Sequence, residues 1–129
     1  MAEIERAHSQ YDRAAKDLDL QEMIEANKAF HQAIARAGQN GHFERLMNDL
    51  LTKANRFEGV WHTHQDRAYF SRIIERSRRE HDAILEAIQA QNPSVAEKLA
   101  HIHVSSFREP FLDYLNQSAA ADIGLRLNL

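Results

Sequence analysis

The sequence predicts an all-α domain, and three observations predict it. The 129 residues include only 4 Gly and 2 Pro, too few for the many tight turns of an all-β chain. Apolar residues recur at spacings of three and four along most of the length, the period of amphipathic helices. Hydrophobic residues make up 43%, enough for one core in one domain of ordinary size.

Five helical segments follow in chain order. The first spans about residues 3–16, with Ile4, Ala7, Tyr11 and Ala14 or Ala15 on one stripe. That stripe is thin, so the segment reads as a terminal, partner-dependent element. Asp19 is placed as an N-cap, with Glu22 three residues on. The second helix spans about residues 20–37 and buries Met23, Phe30, Ile34 and Ala37, with Gly38 as its C′ residue. After the turn at Gln39-Asn40-Gly41, a third helix begins near His42 and reaches His62. Its apolar stripe is Phe43, Leu46, Leu50, Phe57 and Val60 or Trp61. A polar stretch at residues 63–69 separates it from a fourth helix within residues 70–90, whose inner face is Ile74, His81, Ile84, Leu85 and Ile88. Asn92 caps a fifth helix with Pro93 at N1; it runs to about Asn116 and is interrupted at Pro110. The chain divides into a helical domain at residues 1–118 and a loose tail at residues 119–129.

Charge and cysteine content narrow the function. The net charge is −3, and Arg72, Arg76, Arg78 and Arg79 are interleaved with Glu75, Glu80 and Asp82. A solvated helix face is the expectation, with no direct nucleic-acid binding by this chain. Cysteine is absent, which removes disulfide and thiolate chemistry and agrees with a cytoplasmic location. No apolar run approaches the roughly 20 residues of a membrane span.

Eight histidines remain as the chemical signal. His103 falls on the stripe of Ala96, Leu99 and Phe107, whereas His101 shares a face with Glu97, Ser105 and Arg108 and points to water. His81 stacks over Ile84, Leu85 and Ile88. His31 precedes Ile34 and Ala35 by one turn, and Asn27 lies one turn before it. His64 shares a face with Phe57 and Val60 at the edge of a pocket. His8, His42 and His62 are read as surface residues. A single histidine on an apolar face is ordinarily a hydrogen-bonded core residue. Three of them on three helices are also what a divalent metal centre requires, and periodicity leaves both readings open.

Motifs extend this reading. Asn27-Lys28-Ala29-Phe30-His31-Gln32-Ala33-Ile34 with Ala37 and Asn40 resembles the pattern D/N-x-x-F-H-x-x-I…A-x-x-N. Glu80-His81-Asp82-Ala83-Ile84-Leu85-Glu86-Ala87-Ile88 resembles E-H-x-x-I-L-x-A-I, and residues 92–104 resemble the helix that follows it. Together, over roughly residues 10–115, the chain resembles the FCD domain, the C-terminal effector-binding domain of one branch of GntR-type transcription regulators. The resemblance implies an antiparallel helical bundle with a central metal/ligand cavity. It implies a divalent metal, Zn first and Ni or another transition metal as alternatives, held by Asn27, His31, His81 and His103. It also implies a small carboxylate metabolite as ligand, to which Arg56 offers a charge.

The sequence departs from the family pattern in two ways. Asn27 stands where Asp is common, which lowers the Coulombic attraction for a cation. The family's opening helix and its winged helix-turn-helix have no counterpart in these residues, so the expectation is a stand-alone relative or a fragment that forms a homodimer. The function expected is metal-dependent sensing of an organic acid, not enzymatic turnover. A His₃ hydrolase and a structural dimerisation module are the alternatives. For the hydrolase, Glu80 is the nearest carboxylate, but it points about 100° away from His81 on its helix.

Overall fold

The computed structural model describes residues 1–63, 67–108 and 110–116, with side chains except those of residues 57–63. Five α-helices follow one another: α1 (Ala2–Asp17), α2 (Leu20–Ala37), α3 (Gly41–Thr63), α4 (Arg67–Gln89) and α5 (Pro93–Ser106). The described residues contain no strand. Helix α1 packs on α2 and α4, α2 on α3, and α4 on α5.

Local chemistry sets the ends. The Asp19 carboxylate accepts from the Glu22 backbone N–H at 3.0 Å, and Asn92 accepts from Val95 N–H at 3.2 Å with Pro93 behind it. Asn40 accepts from the N–H groups of His42 and Phe43, both at 3.1 Å, and so opens α3. The left-handed residue after α2 is Gln39, not Gly38, which keeps a right-handed backbone. Helix α4 starts three residues before its expected range, at Arg67.

Helix α1 is no loose terminal element. Ile4, Ala7, Tyr11, Ala14 and Ala15 are all buried. The stripe is thin because three of its five residues are alanines, and small side chains let the backbones of α1 and α2 approach closely. Arg78 on α4 reinforces the contact by holding the Asp12 carboxylate of α1 with two N–H groups.

Two apolar clusters form the interior. One joins Tyr11, Ala14, Ala15, Met23, Ala26 and Ile74, with Phe70 against it; the other joins Ile4, Ala7, Phe30, Ala33 and Ile84. Helices α3 and α5 contribute little to either. Phe43, Leu46 and Leu50, the expected inner stripe of α3, are 47%, 56% and 51% exposed. Along α5 the one buried residue is His103.

Helix α5 ends earlier than expected, at Ser106, and residues 110–116 are helical again. Pro110 has no N–H for the carbonyl four residues back, which is that of Ser106. Arg76 of α4 donates to that carbonyl instead, at 3.1 Å. The ladder resumes at once, with Phe111 N–H on the Phe107 carbonyl at 3.1 Å.

Candidate metal centre

His31 on α2, His81 on α4 and His103 on α5 meet between the two apolar clusters. Each offers a ring nitrogen, and these three atoms lie within 4.8 Å of one another. Ring centroids are separated by 5.2 Å for His31–His81, 5.3 Å for His31–His103 and 4.6 Å for His81–His103. His81 is 0% exposed and His103 3%. The His81 ring is the joint between the clusters, with Tyr11 at 4.6 Å and Phe30 at 4.5 Å.

Burial sets their charge. It removes the solvation of an imidazolium, and neighbouring histidines add repulsion. His31 is pushed down to about 3 by burial and then by His103. His81 is held well below the ordinary imidazole range by burial, then by His31, His103 and His8. Burial also lowers His103, against the opposing pull of Glu80. All three rings are therefore neutral near pH 7, the state in which imidazole binds a metal.

A carboxylate fixes the tautomer of His103. Its Nδ1–H donates to Glu80 Oε2 at 2.8 Å, so its Nε2 carries a free lone pair. That Nε2 faces His81 Nε2 at 3.2 Å. Two nitrogens bound to one ion at about 2.0–2.1 Å stand roughly 2.9–3.4 Å apart, so the spacing fits a shared cation. An N–H···N hydrogen bond fits it equally. That bond, however, leaves His81 Nδ1 as a buried bare acceptor, and this atom has no hydrogen-bond partner among the described residues. The histidines do not satisfy one another by hydrogen bonding alone; a cation between the two Nε2 atoms would take up both lone pairs, with the His81 proton then on Nδ1.

Glu80 is the residue that helical facing missed. Its neighbour in sequence, His81, does point elsewhere, but α5 brings His103 to it from another helix. The Ser106 hydroxyl lies 3.2 Å from the same Glu80 oxygen and 2.7 Å from the His103 carbonyl. Arg76, anchored on the Ser106 carbonyl that Pro110 leaves free, stands 3.8 Å from the other Glu80 oxygen and lies over the Phe107 ring. Phe107 in turn meets the His103 ring edge-on at 5.5 Å.

The other candidate residues are distributed as follows. Asn27 lines a cavity of about 20 Å³, room for one water, with Tyr11, Met23, Ile74, Ser77 and Phe107; none of the three histidines lines it. Arg56 is exposed on α3, and His64 lies outside the described residues. His42 and His101 are exposed. His8 is not a free surface residue: its side chain is 14% exposed, and its Nε2 meets Asp82 at 2.8 Å. Its spacing of four from Ile4 and three from Tyr11 was the signal for that position. Among the described residues no helix is long and apolar enough to cross a membrane.

No curated protein and no solved structure matches the chain. A family model does match, that of the FCD domain, over residues 1–106 of 129. That span includes all three converging histidines and the five helices that carry and support them. The chain belongs to the FCD family, the C-terminal effector-binding domains of GntR-type regulators.

Proposed function

We propose that this domain senses a small organic acid through a divalent metal held by His31, His81 and His103, with Asn27 as a fourth ligand. The convergence of three uncharged imidazoles within 4.8 Å, in an interior otherwise almost wholly apolar, carries the reading. Zn²⁺ is the first choice, and Ni²⁺ or another transition metal suits the same imidazole donors. Such an ion, when bound, supplies positive charge and an exchangeable position to which a carboxylate can bind.

The protein's own residues do the positioning. Glu80 presents His103 through its Nε2 atom, as carboxylates behind metal-bound histidines do. Tyr11 and Phe30 pack on the His81 ring and keep water from it. Asn27 adds an uncharged oxygen donor, so the ligand set carries no negative charge and the centre retains its attraction for an anion. Ligand capture would act through a partner surface, and a cytoplasmic homodimer is the form we propose. Glu80, the nearest carboxylate for hydrolysis, is held by His103 and Ser106, which favours binding over turnover.

Untagged, metal-free protein titrated with Zn²⁺ tests the reading. One ion per chain is expected, and at a hundredfold excess over Kd the stabilisation is about 2.7 kcal/mol. The melting temperature then rises by roughly 10 °C. His81→Ala should abolish that Zn-dependent rise. No saturable binding, or an equal rise in the variant, would overturn the proposal.

A further inference from the structure

A groove of about 500 Å³ runs beside the histidines, between α2, α3, α4 and α5. His31 and His103 both line it, so it communicates with the proposed centre. Its size is that of a pocket for a small organic ligand. The rest of the lining is overwhelmingly aliphatic or aromatic, with Ile34, Phe43, Met47, Ile84 and Ile88 the largest contributors. Among the described residues no Lys or Arg lines it. Its polar residues besides the two histidines are Glu97 and His101, both on the exposed side of α5.

The cations lie elsewhere. Arg72, Arg76 and Arg79 line a separate cavity of about 540 Å³ that none of the three histidines lines. Arg56 does not line the groove either. Among the described residues, a ligand with one carboxylate at the metal therefore finds no Lys or Arg along its length. Within the groove a second carboxylate would lie against apolar walls, where burying an unpaired charge is strongly unfavourable; the one imidazole it could reach besides the centre, His101, stands at the exposed rim beside Glu97. An apolar body, by contrast, covers surface that is otherwise wet: Phe43 is 47% exposed and Val104 70%.

From this lining we infer that the effector is a monocarboxylic acid with an apolar body, a medium-length aliphatic or an aromatic acid, and not a di- or tricarboxylate. The inference rests on the metal-sensing reading and names the ligand class for that site. Hexanoate and adipate are the matched probes, equal in chain length and differing by the far carboxylate; acetate controls for the apolar body. Calorimetric titration of the Zn²⁺-loaded protein is expected to give hexanoate at least tenfold tighter than adipate and tenfold tighter than acetate.

Phe43→Arg, at a half-exposed position in the groove lining, should cut the gap between hexanoate and adipate by about tenfold. Adipate binding as tightly as hexanoate overturns the inference, as does hexanoate binding no tighter than acetate. Zn²⁺ uptake measured beforehand separates the two levels. Normal uptake with no acid bound overturns the ligand class alone, whereas absent uptake overturns the metal reading and the ligand class with it.

Discussion

Glu80 and His103 show how much of the proposed centre depends on a residue that touches no metal. If the carboxylate fixes His103 in the Nδ1–H tautomer, Glu80→Gln retains the shape but weakens that preference, and Glu80→Ala removes it. Zn²⁺ affinity is expected to fall by about 10–100-fold in Glu80→Ala and by less in Glu80→Gln. Unchanged affinity in both would remove Glu80 from the site. The three imidazoles, His81 and His103 buried and His31 half-buried, also set a pH dependence in the metal-free protein. Above the ordinary histidine pKa of about 6.5, folded and unfolded chains both hold these rings neutral, and they add no slope. Below it the unfolded chain takes up protons that the folded chain refuses. Stability therefore falls with falling pH, by up to about 1.4 kcal/mol per pH unit for each histidine. For His31 the loss continues towards pH 3. Urea unfolding between pH 7.5 and 5 is expected to show the decline, and a flat profile would contradict the burial of neutral rings. The facing of His31, His81 and His103 was legible because helical period puts each on an apolar stripe. Glu80 was not, since its partner lies 23 residues away on a helix whose rotation no local pattern specifies.

At the scale of elements, α5 is the least self-sufficient piece. It buries one histidine, packs on α4, and stops where Pro110 removes a donor. Its start rests on the Asn92 cap, so Asn92→Ala should cost about 1 kcal/mol in denaturant unfolding. Zn²⁺ bound to His103 should recover part of that loss, because binding to the folded form adds stability. A loss well under 0.5 kcal/mol would show that α5 is held from elsewhere. Helix positions, the caps at Asp19 and Asn92, and the break near Pro110 were readable from spacing and from cap and proline chemistry. Which helices bury their stripes was not. The α1 stripe looked thin because it is built from alanines, yet it packs closely. The α3 stripe looked strong because it holds Phe43, Leu46 and Leu50, yet these are half exposed. Period reports that a face is apolar; it does not report what meets that face. Leu46→Lys is accordingly expected to change stability by less than about 0.5 kcal/mol, the usual range for surface substitutions.

Across the whole molecule, two apolar clusters are joined by a histidine. A fold that needed only stability would place an aliphatic residue at position 81, where the ring is 0% exposed and one nitrogen has no partner among the described residues. An unsatisfied buried polar atom costs about 1–3 kcal/mol, and the free energy of metal binding to the folded form would offset that cost. The fold class and family could be read from sequence because motif and period agree. The lining of the groove could not, because it is assembled from four helices far apart in the chain. The central claim is that one metal ion sits among His31, His81 and His103. Anomalous diffraction at the Zn edge, from crystals of untagged protein loaded with one equivalent of Zn²⁺, tests it most directly. The account expects one strong peak per chain, within about 2.0–2.1 Å of a nitrogen from each of the three rings. An empty centre, with zinc only at exposed His42 or His101 or at the His8–Asp82 pair, would contradict it.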